Sequence, residues 1–364
     1  MPSMPALPPM TRPRRPRRAD APRKGAGSAV AAGGAPREGG QDVLRYATPY
    51  HAPVLAAETV AALVTSPAGL YVDGTLGGGG HSAALLDALG PHALVVGIDQ
   101  DAEAIGTARA RLAEAEAAGR FVALRGNFGD LDRLLDRAGL GPEHGRPAAG
   151  VLLDLGISSH QVDEAARGFA FSASGPLDMR MDAGAGETAA DLVARLDADA
   201  LADVIYQYGE ERRSRAIARA IKKAAPETTG ALADAVCQAV PMREEVKALA
   251  RVFQALRIAV NGEMDVLERA LPAALGALAP GGRLAVIAYH SLEDRRAKQF
   301  LRTGRFSADV EKDAFGNPIT PWRAVTRKPV TASAAEVEAN PRARSARLRV
   351  AEKVTEPPAR RPGT

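Results

Sequence analysis

The residues best placed to do chemistry begin at YVDGTLGGGGHS, positions 71–82. A short apolar run feeds Asp73, and the glycines Gly77 to Gly80 precede an apolar helical pattern, SAALLDAL. So many glycines in one turn mean that a backbone must approach something closely, because a Cβ would collide with it. A second apolar strand, ALVVGID (93–99), ends in Asp99, about where an acid that accepts from ribose hydroxyls is expected. Together they place an adenosine-containing cofactor at the carboxyl edge of a parallel sheet. A glycine turn with a strand-end acid serves both nicotinamide and S-adenosyl-L-methionine enzymes, and two details favour the latter. Asp73 can face a sulfonium or an amino group, whereas a pyrophosphate would repel it. The spacing Gly74-x-x-Gly77-Gly78-Gly79-Gly80 also departs from the G-x-G-x-x-G that seats a pyrophosphate on a helix N-terminus.

A later strand carries the next set. VLLDLGISSHQVDEAARGFAFSASGPLDMRMD (151–182) leaves the sheet at Asp154 and continues as a polar, glycine-bearing loop, where doubly wound enzymes keep their reacting groups. Asp154, Ser158, Ser159, His160 and Gln161 offer donors and acceptors near the cofactor edge. Singly, each reads as a turn or cap residue; the length of the block argues for more. Near the C-terminal side, HSLEDR (290–295) follows another strand. There Ser291 and Asp294 have helix-capping spacing, and His290 ends the strand.

The elements that must position these groups alternate. Strands are expected at 69–73, 93–99, 120–125 and 150–155, with helices at 53–64, 82–89, 101–118 and 129–138. The next strand, 281–290, comes about 130 residues after the fourth, far more than a crossover needs. The intervening segments, among them ERRSRAIARAIKKAA and KALARVFQALRIAV, read as helices. AVTRKPV (324–330) and SARLRVAEKV (345–354) are candidates for a closing hairpin at the sheet edge. The fold class is α/β, a doubly wound sheet with a helical domain inserted between strands 4 and 5. The expected organisation is a disordered basic Pro/Arg-rich tail (1–48), a first sheet segment (49–160), a helical insert for substrate recognition (161–275), a second sheet segment (276–352) and a flexible tail (353–364).

The overall charge of +4 conceals an acidic body. Residues 1–45 hold nine basic and three acidic side chains, residues 341–364 seven and two, and the stretch between holds 31 and 38. A nucleic-acid partner would therefore be met by local basic patches. Candidates are Arg212, Arg213, Arg215, Arg219, Lys222 and Lys223, with Arg295, Arg296, Lys298 and the Arg342–Arg349 run beside them. Any one of these is equally readable as a solvated helix face. Aromatic residues make up only 4%, so phosphate and shape contacts should outweigh base stacking. The one cysteine, Cys237, lies in an apolar helical context and reads as packing in a reducing compartment. No apolar run is long enough to span a membrane, and no metal-ligand spacing stands out.

Across residues 50–351 the chain resembles the bacterial 16S rRNA cytosine-N4 methyltransferases of the RsmH (MraW) type. HAPVLAAETV, YVDGTLGGGGHS, GIDQD, the long 154–182 block, YGEERRSRAIARAI, FQALRIAVNGEMDVLERAL, PGGRLAVIAYHSLEDRRAK and NPRARSARLRV occur in the family's order. The resemblance implies a class I, Rossmann-like methyltransferase acting on a cytidine in the decoding region of the small ribosomal subunit, in the cytoplasm. It also implies cofactor contacts from Gly79, Gly80, His81, Asp99, Phe128, Asp154 and Gln161. Cytosine's exocyclic nitrogen is a poor nucleophile, since its lone pair is delocalised into the ring, and must be held, aimed and relieved of a proton. Where many such enzymes carry a [DNS]-P-P-[FYW] tetrapeptide, this chain reads Asp154-Leu155-Gly156-Ile157. Ser158, Ser159, Asp178 and His290 are the candidates for that work.

Overall fold

Strands buried on both faces read as near-continuous apolar runs, and those seen in the sequence pair into one sheet. The computed structural model describes residues 45–48, 52–307, 312–313, 315–316 and 319–354, without the side chains of Ser159 and His160. The residues expected to form the two tails lie almost wholly outside that range. The sheet half opens with α1 (Ala56–Leu63), β1 (Leu70–Asp73), α2 (Gly80–Ala88) and β2 (Leu94–Asp99). It continues through α3 (Ala102–Arg111), α4 (Ala113–Ala117), β3 (Phe121–Arg125), α5 (Leu131–Arg137) and β4 (Ala148–Asp154). After α6 (Ser159–Asp163) come the inserted helices α7 (Ala189–Arg195), α8 (Ala198–Gly209), α9 (Ser214–Ala224), α10 (Thr229–Ala239), α11 (Glu245–Asn261) and α12 (Glu263–Ala277). The chain then returns through β5 (Leu278–Ala288), α13 (Ser291–Thr303), β6 (Trp322–Ala324), α14 (Ala334–Ala339) and β7 (Arg347–Lys353).

The seven strands lie in the order β3-β2-β1-β4-β5-β7-β6. The first five are parallel; β7 pairs antiparallel with both β5 and β6. The order reverses between β1 and β4, which opens a crevice at their carboxyl ends. Alternation along each strand feeds two cores. Tyr71, Val95 and Leu152 face the layer that includes α1 and α2, while Val72, Val96 and Val151 face α5 and α12. The inserted helices build a third core around Leu201, Ile217, Leu232 and Val252. α12 instead packs on the sheet through Leu267, Ala270 and Leu271. No helix among the described residues is long and apolar enough to cross a membrane.

Some local expectations shift, each for a physical reason. The helix expected from Pro53 starts at Ala56, behind a left-handed Leu55. Pro53 is left to pack beside Gly80, where an added Cβ would come within 3.0 Å of its ring. The helix expected over 101–118 breaks at Leu112 into α3 and α4. Of the stretch 324–330, only Ala324 falls in β6, and Val330 adds an isolated bridge to Leu348.

Phe300 on α13 is fully buried, with ring centroids 5.3 Å from Phe306 and 6.1 Å from Trp322. Its packing holds the helix that follows β5. Phe300→Ala is expected to lower the unfolding free energy by about 3–5 kcal/mol in a urea titration.

Candidate active site

The cleft at the carboxyl ends of β1, β2, β4 and β5 offers about 1110 Å³ of empty space, open on one side to solvent. Gly80, His81, Asp99, Phe128, Asp154, Ser158 and Gln161 all line it. Gly79 does not. It caps α2 at φ +74°, and a Cβ there would meet Ala108 and Leu112 at 3.3 Å, so it acts by letting α2 begin against α3.

Asp73 behaves differently from the sequence expectation. It is fully buried and turned away from the cleft, accepting from Ser82 Oγ at 2.8 Å and Thr75 N at 3.3 Å. Burial raises its pKa, against the opposing pull of His81 and Ser82. Its role is to tie the glycine turn to the first turn of α2. The neighbouring Thr75 Oγ1 accepts from Asp154 N at 2.7 Å, locking the β1 turn to the end of β4.

Asp99 ends β2 with one oxygen accepting from Gly77 N at 2.8 Å and the other from Asp101 N at 2.9 Å. Each oxygen keeps a further lone pair, so the carboxylate can receive two hydroxyls of a ribose. Burial pushes its pKa up to about 6, although both backbone donors resist the shift. Phe128 sits in a single turn opened by Asn127, whose side chain accepts from Gly129 N. It presents an apolar face beside Asp99.

On the other side of the turn, His81 Nε2 lies 3.3 Å from Asp154 Oδ2, close but not aligned as a hydrogen bond. Burial opposes protonation of His81, yet Asp154 outweighs it and raises the imidazole pKa. Tyr289 lies beyond Asp154; burial and that carboxylate hold its phenol well above its ordinary pKa. Gly156 lets the Asp154 loop pass this ring, because a Cβ would fall 2.8 Å from it. Ser158 and Gln161 hold each other: Ser158 N donates to Gln161 Oε1 and Gln161 N to Ser158 Oγ, both at 3.1 Å.

Asp178 is not part of the cleft lining. Arg180 grips both its oxygens, and although burial works the other way, that guanidinium keeps the carboxyl below its ordinary pKa. Its partner and position leave it a loop-holding residue. His290 is not part of the cleft lining either; it caps α13 behind Tyr289, a role expected of Ser291, while Ser291 instead starts the helix and donates to Glu210. The side chain of Ser159 lies outside the described residues.

Three residues that sequence reasoning passed over or left open, Asn261, Glu263 and Glu293, complete the wall, with Arg257 behind them. Asn261 closes α11 by accepting from Met181 N and donating to Met179 O, which straps the 155–182 loop over the cleft. Arg257 forms a two-pronged pair with Glu263, both contacts at 2.8 Å, and that partner outweighs burial to raise the Arg257 pKa. Glu293 is only 2% exposed and lines the cleft beside Tyr289. Glu263, His290 and Glu293 place ligand atoms within 4.8 Å of one another. Glu263 is already neutralised by Arg257, so the cluster has its cation. An acid in the FQALRI–NGEMD and HSLEDR runs reads from sequence as a helix-start acid, so no signal separates Glu263 and Glu293 from capping residues.

Of the six cations proposed from sequence, Arg213 pairs with Glu244 and Lys222 donates to Val193 O and Ala194 O at the end of α7. Arg212, Arg215, Arg219 and Lys223 are exposed, with no ion pair among the described residues. Arg295, Arg296 and Arg342 pair with Glu210, Glu268 and Asp163, and both Arg347 and Arg349 with Asp294.

A parallel sheet ending in an antiparallel hairpin, with a glycine turn after β1 and an acid closing β2, defines a class I, S-adenosyl-L-methionine-dependent methyltransferase. Residues 48–354 match the model of the MraW methylase family, and the chain belongs to that family. It is 50% identical over 321 residues to a protein of Chlorobium luteolum named Ribosomal RNA small subunit methyltransferase H, covering 84% of this chain and 96% of that one. A Sorangium cellulosum protein of the same name is 49% identical, with 84% and 91% covered. Among solved structures, a putative rRNA-methylase from Clostridium thermocellum aligns at 13% identity and a TM-score of 0.36, covering 83% of this chain and 94% of that one. SMU.1697c, a putative methyltransferase from Streptococcus mutans in complex with SAH, aligns at 12% and 0.38, with 82% and 96% covered.

With a pKa of about 6, Asp99 above that pH is ionised and has an acceptor lone pair on each oxygen for a ribose hydroxyl; below it, the bound proton turns one oxygen into a donor. The dissociation constant for S-adenosyl-L-methionine, measured by calorimetry, is therefore expected to rise as pH falls through about 6, by up to about tenfold per unit. Asp99→Asn is expected to bind about 10–100-fold more weakly near neutral pH and to lose that slope.

Proposed function

We propose that this enzyme transfers a methyl group from S-adenosyl-L-methionine to the exocyclic N4 of one cytidine in 16S rRNA, in the decoding region of the small ribosomal subunit. The relatives' shared name supplies the ribosomal RNA. The observation that carries the choice of an amine is the far wall of the cleft. There the ends of β4 and β5 present buried acceptors to whatever lies beside the cofactor, and acceptors suit a group that offers N–H.

In this reading Asp99 receives the ribose hydroxyls and Phe128 covers the adenine. Gly80, His81, Asp154 and Gln161 surround the amino-acid end. His81 fits that task, since its ring nitrogens are buried without an aligned partner, and a raised pKa favours the charged form that a carboxylate needs. Gly79 contributes by fixing the start of α2. When bound, the cofactor supplies an electrophilic methyl on a sulfonium; the protein's part is to hold, aim and deprotonate the acceptor. Ser158 shapes the loop that faces it, and His290 stands at the β5 end.

A base inside structured RNA must be unstacked or flipped to enter such a cleft. The inserted helices, whose α11 ends in the cleft wall at Asn261, form the clamp. Along α9, Arg215, Arg219 and Lys223 recur at every fourth position, opposite the buried Ile217 and Ile221, and Arg212 extends the stripe. These four are the proposed phosphate contacts; Arg213 and Lys222 serve the insert's own structure. The substrate places the enzyme in the cytoplasm.

Small subunits and naked 16S rRNA lacking the modification, supplied with labelled cofactor, test the reading. N4-methylcytidine at a single position by nucleoside mass spectrometry is the expected product. Label in DNA or another RNA in preference to both would replace it with a same-fold enzyme for that nucleic acid. Arg215→Ala/Arg219→Ala/Lys223→Ala is expected to raise KM for the subunit and to flatten the salt dependence of binding by about 0.7–0.9 log units per lost contact, with cofactor affinity unchanged.

A further inference from the structure

Resting on the amine-acceptor reading above, we infer that Glu293 is a catalytic residue, the group that grips the target amine and takes its proton. The inference follows by accounting for each polar side chain that walls the β5 end of the cleft. Asn261 uses its oxygen on Met181 N and its amide on Met179 O and Arg257 O. Both oxygens of Glu263 are held by Arg257. Ser158 Oγ and Gln161 Oε1 hold one another's backbone amides. The buried Tyr289 phenol, its pKa raised by burial and by Asp154, stays protonated and is no proton acceptor.

Glu293 divides its work between its two oxygens. Oε2 accepts from Tyr289 N at 2.8 Å and His290 N at 3.3 Å, the capping half of the arrangement. Among the described residues Oε1 accepts no hydrogen bond; His290 Nε2 lies 3.1 Å from it without hydrogen-bond alignment. So one oxygen anchors the carboxylate and the other keeps lone pairs for a ligand. The groups facing it are His290 on its own helix, Tyr289 at the end of β5, Glu263 on α12 and Arg257 on α11, with Asp154 on β4 beyond Tyr289. Arg257 balances one of the two acids, which leaves a net acceptor at this end of the cleft.

That arrangement selects chemistry. An amino group of cytosine donates to Oε1, while the carbonyl oxygen of uracil at the same place is repelled by it. In the transfer, the N4–CH₃ bond forms as the S–CH₃ bond breaks, the sulfonium becomes a thioether, and the N4 proton passes to Oε1. His290, with Nε2 beside that oxygen, is a positioning residue that keeps the carboxylate aimed.

Glu293→Gln keeps the cap, because the amide oxygen still accepts from Tyr289 N and His290 N, but it removes the charge and adds a donor. The first readout is equilibrium binding to rRNA fragments carrying cytidine or uridine at the methylated position, without cofactor. The wild type is expected to prefer cytidine by tenfold or more, and Glu293→Gln to narrow that ratio to about threefold or less. The second readout is single-turnover transfer, expected to fall about 10²–10⁴-fold with cofactor affinity and thermal midpoint retained. Glu293→Asp keeps the charge at the helix start but withdraws the carboxylate by one methylene, and the same losses are expected should the glutamine variant fold poorly. Full discrimination and full turnover in a folded variant would overturn the role of Glu293 while leaving N4-methylcytidine as the product. A wild-type product methylated elsewhere than on an exocyclic amine would overturn both readings together.

Discussion

The site depends on the lateral stitching of three neighbouring strand ends. Parallel pairing of β1, β4 and β5 does not stop at the last strand residue. Gly74 N donates to Leu152 O at 2.9 Å, Asp154 N to Thr75 Oγ1 at 2.7 Å, and Leu155 N to Ile287 O at 3.0 Å. Each bond commits a backbone donor that would otherwise face the cleft, and each fixes where a loop departs. With those departures fixed, the glycine turn, the Asp154 loop and the Tyr289–Glu293 corner cannot move independently. Side chains on three loops distant in sequence thereby form one wall.

That wall gathers more buried charge than an ordinary core tolerates, and the manner of compensation sorts its members. Asp73, just behind the wall, is held within the protein by Ser82 and Thr75, and Glu263 in the wall by Arg257; neither needs a ligand for those contacts. Asp99, His81 and Glu293 are answered only in part. Asp99 has a pKa raised to about 6, His81 has unaligned ring nitrogens, and Glu293 has one oxygen engaged and one open. Partial compensation is costly in the free protein and becomes useful when a ligand supplies the rest. The same reasoning explains why Asp178 drops out: its guanidinium partner already satisfies it.

Strands and their order of appearance were legible because fully buried parallel strands are apolar on both faces, as in VLLD and VVGID. The glycine turn and Asp99 were legible because their residue types serve few other purposes. Side-chain direction was not. Asp73 precedes the turn and reads as a cofactor contact, yet whether it faces the cleft or α2 depends on Ser82, nine residues on. Capping was misplaced by one residue at HSLEDR, since a histidine is a weaker capping signal than a serine. Glu263 and Glu293 were invisible for a different reason. Each sits at a helix start, where an acid is favoured by the dipole whether or not a cleft lies beside it. Only the meeting of α12 with the β5 corner separates the two cases.

Charge on the inserted helices follows the same logic of prior commitment. A count of cations along ERRSRAIARAIKK suggests six equivalent contacts, but Lys222 closes the carbonyl end of α7 and Arg213 ties α9 to Glu244. The rest fall on one line because α9 buries Ile217, Ala218 and Ile221 and so turns Arg215, Arg219 and Lys223 outward together. Elsewhere Arg295 and Arg296 of α13 and Arg347 and Arg349 of β7 are matched by acids, which cancels much of their pull on a phosphate. A polyanion approaching such a surface is therefore steered by contrast, not by net charge. The unmatched stripe lies on the one element group that also ends, through Asn261, at the mouth of the cleft.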